Sequence, residues 1–237
     1  MKNFLVTANF KLDQDKWYGN SNPLDYETMQ TYCIDSFKKY LYGIDKVIVF
    51  NDISDKINNY HQIFKHIFYK IDYLYHSESC NILFIDLDTI CIKPINIFNL
   101  YNNFRMFSIA NQFKDTYPEN VNKKLYHHLK PWFMSNVRYY PAFLDESIWE
   151  TGRNIVKQWV DVWAFECIVY NTMLHSQKID PYVFYGWHNP KFNYQYINGQ
   201  EHLNSNYELS DAYIVHCQAT RGSENAINKM KELSEIK

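Results

Sequence analysis

Apolar residues along this chain fall into short unbroken runs separated by longer stretches in which they recur at helical spacing. Residues 4–8 (Phe-Leu-Val-Thr-Ala), 46–50 (Lys-Val-Ile-Val-Phe) and 81–85 (Asn-Ile-Leu-Phe-Ile) are the runs, each of the length expected for a strand buried on both faces. Between the first two, a polar loop through Trp17, Tyr18 and Pro23 leads into a predicted helix over 26–42, stopped by Gly43. From Ile57 onward Tyr60, Phe64, Ile67, Phe68, Ile71 and Leu74 repeat at three- and four-residue steps, which predicts an amphipathic helix packed on a sheet. Strand, helix, strand, helix, strand implies parallel pairing, because a parallel connection needs a crossover of about a dozen residues. The expected fold class is therefore α/β, with a mostly parallel central sheet and helices on both faces.

The second half is less regular. Residues 104–110 and 138–144 are expected as further strands, 149–176 as largely helical in one or two pieces, and 212–216 as a short last strand. No repeat or low-complexity linker interrupts the chain, so residues 1–222 are expected to form one domain, with the Lys/Glu-rich 223–237 as a surface helix or tail.

Composition narrows the function classes. Net charge is −2 from 24 basic and 26 acidic residues, without the basic patch of a nucleic-acid-binding protein, so no nucleic-acid partner is expected. The five cysteines (Cys33, Cys80, Cys91, Cys167, Cys217) make no C-x-x-C pair; scattered and odd in number, they suit reduced thiols in a cytosol. The N-terminal apolar stretch is too short for a signal-peptide core and nowhere do about 20 apolar residues run together, so the expectation is a cytoplasmic protein without a transmembrane segment.

Chemistry concentrates where apolar strands stop, since ligands of open parallel sheets gather beyond the strands' carboxyl ends. Asp86-Leu87-Asp88 follows the third run directly and precedes more apolar residues (Ile90, Cys91, Ile92), unlike the second Asp-x-Asp at Asp13-Gln14-Asp15 in a polar loop. Two carboxylates at the mouth of a core strand must be neutralised by hydrogen bonds or a cation. One alternative is a capping Asp88 and a lysine-paired Asp86. Another is a phosphatase: Asp86-Leu87-Asp88-Thr89 resembles the opening of the haloacid-dehalogenase-type enzymes, with Asp86 as nucleophile and Mg²⁺ as cofactor.

The stretch from His66 to Pro94, a lysine-bearing helix leading into an apolar strand, Asp-x-Asp, an apolar turn and Pro, resembles the centre of metal-dependent nucleotide-sugar glycosyltransferases of the GT-A fold. Ile214-Val215-His216 is similar to the strand-end histidine that completes the metal site in the glycogenin-like and bacterial galactosyltransferase-like members. Glu166-Cys167-Ile168-Val169-Tyr170-Asn171 is similar in place to an acidic helix start of those enzymes. Arg138-Tyr139-Tyr140-Pro141 stands where the family has Phe-Asn-x-Gly, and Arg221 stands near where it often has Lys-Pro-Trp.

The resemblance implies a single GT-A type nucleotide-diphospho-sugar transferase domain acting on a nucleotide-sugar donor, a UDP-sugar foremost, and a glycan or other hydroxyl acceptor. It implies a metal held by Asp86, Asp88 and His216. Thr7, Ala8, Asn9 and Tyr18 are implied on the nucleoside, Leu87, Lys70 and Arg221 near phosphates or sugar, and Glu166 or Asp145 near the reacting carbon. Two carboxylates and one imidazole suit Mn²⁺, or Mg²⁺, better than Zn²⁺, and such a cation would stabilise charge on a departing pyrophosphate. Trp187, His188, Tyr194 and Tyr196 are further candidates for a sugar-stacking surface. A non-catalytic carbohydrate-binding or scaffold protein on the same fold is the remaining class.

Overall fold

Strand β1 (Asn3–Ala8) lies between β2 (Lys46–Phe50) and β3 (Asn81–Ile85) and runs parallel to both. Two longer strands, β5 (Phe107–Lys114) and β6 (Trp132–Tyr140), complete a five-stranded sheet of order β2-β1-β3-β6-β5 in which β6 is antiparallel to β3 and to β5. A second, four-stranded sheet of order β4-β9-β7-β8 comprises β4 (Thr89–Cys91), β7 (Asn193–Ile197), β8 (Gln200–Glu201) and β9 (Ile214–Gln218). The helices are α1 (Tyr26–Tyr40), α2 (Tyr60–Glu78), the short α3 (Ile97–Leu100), α4 (Glu146–Lys157), α5 (Phe165–Ser176) and α6 (Glu224–Ser234). This computed structural model describes residues 1–9, 25–51, 60–100, 106–114, 132–158, 165–177, 193–197, 200–201, 209–218 and 224–236.

Period-two alternation in the central strands divides the interior into two cores. Phe4, Val6, Ala8, Ile82, Phe84 and Tyr140 face one side, where α2, α4 and α5 cover them through residues such as Ile67, Ile71, Trp149 and Tyr170. Leu5, Leu83, Ile85, Val137 and Tyr139 face the other, against Cys33 and Phe37 of α1, Val215 and Cys217 of β9, and Met230 of α6. Strands sandwiched in this way must be apolar at nearly every position, which is why β1 and β3 read as continuous runs; β2, at the edge, is half-buried. Each large aliphatic side chain so buried contributes on the order of 1.5–3 kcal/mol.

Local signals fix the helix ends. The Asp25 carboxylate accepts from the Thr28 N–H at 2.9 Å to cap α1, and past its far end Gly43 adopts φ +83, the left-handed region that favours glycine. Asp145 caps α4 in the same way, accepting from the Ser147 N–H at 2.8 Å.

Three strand expectations shift, and the helical one is met. The strand expected over 138–144 ends at Tyr140 because Pro141 has no N–H, and the following amides are claimed by side chains: Ala142 N donates to Asn81 Oδ1 at 2.9 Å and Leu144 N to the Tyr75 hydroxyl at 2.7 Å. The strand expected over 104–110 runs from Phe107 to Lys114 instead. The last strand is displaced to Ile214–Gln218 and belongs to the second sheet. The stretch expected as helical over 149–176 holds two helices, α4 and α5. Residues 57–59, the expected start of α2, lie outside the described residues.

Candidate functional site

Asp86, Leu87 and Asp88 form the step between the two sheets. The Asp86 N–H donates to the Asn136 carbonyl of β6 at 3.0 Å, while the Asp88 carbonyl accepts from the Cys217 N–H of β9 at 2.7 Å. Immediately after it, Thr89 opens β4 directly opposite His216 of β9. Asn136 Nδ2 donates to Thr89 Oγ1 at 3.2 Å, and the Cys33 thiol lies 3.7 Å from the Asp86 carbonyl. Backbone pairing on both sides therefore decides where the two carboxylates stand.

Asp88 and His216, 128 positions apart in the chain, meet there: His216 Nε2 lies 3.2 Å from Asp88 Oδ1, with side chains 18% and 10% exposed. Burial disfavours the imidazolium, but the carboxylate charges of Asp88 and Asp86 and the Asp88 contact outweigh it, so the His216 pKa is raised. Asp86 turns toward Arg138, whose Nη1 is 3.5 Å from Asp86 Oδ1. Burial pushes the Asp86 carboxyl up to about 6, against the pull of Arg138. Its side chain keeps 36% of its surface open, so solvent screens part of that effect. Arg138 itself is buried and its guanidinium carbon lies 5.4 Å from the centre of the Phe84 ring.

The donor set suits a hard divalent cation in one part and not in another. A carboxylate and an imidazole nitrogen in contact, at a partly open strand edge, are ligands that Mn²⁺ or Mg²⁺ accept with their other positions left to oxygen. A closed cage is absent: among the described residues no three His, Cys, Asp or Glu side chains are grouped to hold a metal ion, and Asp86 faces Arg138. Asp88 and His216 fit the expected group; Asp86 fits it only by leaving its arginine.

The remaining sequence candidates scatter. Thr7 is sealed in the sheet, its hydroxyl donating to the Ile85 carbonyl at 2.8 Å, and Ala8 is packed in the core beside it; neither side chain is open to a nucleoside, contrary to expectation, because both sit between neighbouring strands. Leu87 is likewise buried. Asn9 follows β1, its N–H donating to the Phe50 carbonyl at 2.9 Å and its Nδ2 to Gln30 Oε1 at 2.7 Å; its Oδ1 is buried and has no hydrogen-bond partner among the described residues. Lys70 stands on α2 with Nζ 5.4 Å over the Phe50 ring, two strands across from β3.

Asp145 is a clear correction. It caps α4 just past the end of β6 that pairs with the start of β3, Tyr140 opposite Ile82, so it lies at the edge of the sheet away from Asp86 and Asp88. Its expected place near a reacting carbon ignored the antiparallel direction of β6. Glu166 is the second residue of α5, and its side chain lies outside the described ones. Tyr18, Arg221, Trp17, Trp187 and His188 lie outside the described residues, while Tyr194 and Tyr196 are described only as backbone in β7. Sequence reasoning missed Arg138 as part of the site. Its signal was a lone arginine in an otherwise uncharged strand, which has to find a carboxylate once buried.

This arrangement, a central sheet whose acidic strand end faces a histidine from a second small sheet, is carried on a fold that known glycosyltransferases use. The chain is similar to the apo structure of WbbM, a bifunctional glycosyltransferase, with a TM-score of 0.58 at 10% identity over 99% of this chain and 50% of that one. It is also similar to a glycosyltransferase involved in the glycosylation of the major capsid of PBCV-1, with a TM-score of 0.55 at 11% identity over 98% of this chain and 100% of that one. The chain thus spans half the length of the first of these and all of the second. No family model and no curated protein matches the sequence. Identities this low speak for shared architecture, not for shared substrates. Among the described residues no helix is long and apolar enough to cross a membrane.

Proposed function

We propose that this chain is a GT-A type glycosyltransferase that moves a sugar from a nucleotide-sugar donor, a UDP-sugar foremost, to a hydroxyl of a glycan or similar acceptor, with Mn²⁺ or Mg²⁺ as cofactor. The observation that carries the reading is the 3.2 Å approach of His216 to Asp88 beside Asp86. A glycosyltransferase-type fold supports it.

In this reading Asp88 and His216 hold the cation and Asp86 supplies a second carboxylate to it or to ribose hydroxyls. The cation, when bound, offsets negative charge gathering on the departing diphosphate. Arg138, 3.5 Å from Asp86 Oδ1, offsets the repulsion between the two carboxylates until Asp86 turns from it to the cation or the ribose. The buried Asn9 Oδ1 is an acceptor suited to an N–H of the donor's base. Glu166 is the carboxylate proposed for the acceptor side, and Arg221 and Tyr18 are proposed for the diphosphate and the base.

Isothermal titration with UDP, with and without Mn²⁺, tests the proposal. Metal-dependent UDP binding that Asp88→Asn removes is the expected result. UDP binding indifferent to EDTA, or none, would overturn it. Phosphate release from an aryl phosphate with Mg²⁺ would point to the phosphatase alternative instead.

A further inference from the structure

On the flank of the central sheet, away from Asp88, the outer strand β2 and one stripe of α2 enclose an open cleft of about 650 Å³. The helix contributes His66, Tyr69, Lys70, Tyr73 and Leu74 to its wall, and the strand contributes Lys46 through Phe50. Those helical positions step by three and one, which places them on a single face. The adjoining face, with Ile63, Ile67 and Ile71, is consumed by the core. A helix that has already buried one apolar face normally turns charged residues to water; α2 instead leaves Tyr73 76% and Tyr69 37% exposed.

Two features give the cleft a chemical preference. Among the described residues its wall carries Lys46, Lys70 and His66 and no Asp or Glu, although acidic residues outnumber basic ones in the chain as a whole, 26 to 24. The nearby Glu78 is taken by Lys2, at 2.9 Å. Both ammonium groups stand over aromatic rings, Lys70 Nζ 5.4 Å over Phe50 and Lys46 Nζ 5.7 Å over Phe4, which holds positive charge against the apolar surface of the cleft. Tyr69 is held edge-on against Phe68, with ring centres 5.8 Å apart. Rings of this kind, apolar in body and polar at the tip, suit a flat amphipathic ligand.

We propose that this cleft between β2 and α2 binds an anionic carbohydrate chain, its sugar rings lying on Tyr69 and Tyr73 and its acidic groups reaching Lys46 and Lys70. The ligand class rests on the transferase reading, which makes a glycan a natural partner; the cationic rim selects an acidic one. The cleft lies apart from the Asp88–His216 pair, so it would hold an acceptor chain at a distance from the donor.

Titration of a short oligogalacturonate, without nucleotide or metal, tests this, with a malto-oligosaccharide of equal length as the neutral control. The acidic chain is expected to bind, to bind at least about tenfold more tightly than the neutral one, and to weaken as salt passes about 0.15 M, where the screening length is about 8 Å. Lys46→Glu and Tyr73→Ala, both at exposed positions, are each expected to weaken that binding at least fivefold, about 1 kcal/mol, while leaving far-UV circular dichroism and Mn²⁺-dependent UDP binding unchanged. No binding of the acidic chain, equal binding of the neutral one, or indifference to both substitutions would overturn the proposal. UDP titration on the same preparation reports separately on the transferase reading, so either can fail alone.

Discussion

Arg138 of β6 stands in register with Phe84 of β3 and reaches past it to Asp86, with its guanidinium carbon 5.4 Å from the ring centre and Nη1 3.5 Å from the carboxylate. A cation is thus laid along one face of the sheet, with an aromatic ring beneath it and an anion at its tip. Removing it leaves a mostly enclosed carboxylate beside Asp88 without its partner. Arg138→Met is expected to destabilise the fold by about 1–3 kcal/mol, less than a fully buried pair because Asp86 is partly solvated. Urea unfolding measures this, and in the double variant with Asp86→Asn much of the loss should disappear. A loss that is simply additive would show that the two side chains are not coupled.

Asp88 and His216 are predicted to act as a unit on the cation. His216→Gln and Asp88→Asn should each lower Mn²⁺-dependent UDP affinity by at least about tenfold, or 1.4 kcal/mol, and the double variant should lose little more than either single one. Titration calorimetry of the three variants distinguishes this from two independent contributions, in which the losses would multiply.

Metal affinity should also depend on pH with a definite sign. Asp86 is pushed up to about 6, so it is increasingly protonated below that value and a bound cation must displace the proton. The His216 imidazole, raised above 6.5, must likewise give up its proton to ligate, so Mn²⁺ binding is expected to weaken as pH falls through the His216 value and further as it passes 6, with protons released over that interval. Calorimetry in buffers of different ionisation enthalpy reads the proton count; Asp86→Asn should remove the part near 6 and leave the part due to His216.

A separate charge cluster governs stability. His76 lies 2.9 Å from Glu146 and 3.0 Å from Asp72, which Arg153 grips with two bonds of 2.8 Å. Burial opposes the His76 imidazolium, but the Glu146 and Asp72 contacts win and its pKa is raised above 6.5. Because the folded state holds this proton more tightly, the contribution is complete below 6.5 and is lost as pH rises through the folded-state value. Thermal melts should show stability declining over that interval, and His76→Gln should remove the decline.

At Gly152 of α4 a methyl group would lie 2.7 Å from Met173 Sδ and 2.8 Å from the Phe68 ring. Gly152→Ala gains about 1 kcal/mol of helix propensity but overpacks the junction of α2, α4 and α5, and a net loss of about 1–2 kcal/mol is expected. Denaturant midpoints test the sign, and Met173→Ala should cost less in the Gly152→Ala background than in the parent, because the added methyl group then fills part of the cavity.

The parts of this molecule legible in its sequence are those governed by local periodicity. β1 and β3 are apolar at nearly every position because both their faces are covered, and the repeat from Phe64 to Leu74 belongs to one helix. The three-residue β4 is too short to leave a periodic trace, and nothing local to β9 says that it pairs with β4 rather than with the central sheet. The site followed the same division. Asp86 and Asp88 were visible as charges at a strand's end, whereas the partnership of Asp86 with Arg138 depends on β6 running antiparallel to β3. The Thr7 hydroxyl serves the Ile85 carbonyl, a bond that exists only because β3 lies beside β1. Asp145, followed by Glu146 and an apolar helix, carried a capping signal that outweighed its appeal as a catalytic acid.

The Asp86–Asp88 step is tied by Asp86 N–H to one sheet and by the Asp88 carbonyl to the other. Such a joint works like a rivet through two overlapping plates. Any slip of one layer along the other must be absorbed within three residues, and so is felt as a change in the gap between two acidic groups before either layer breaks a bond of its own.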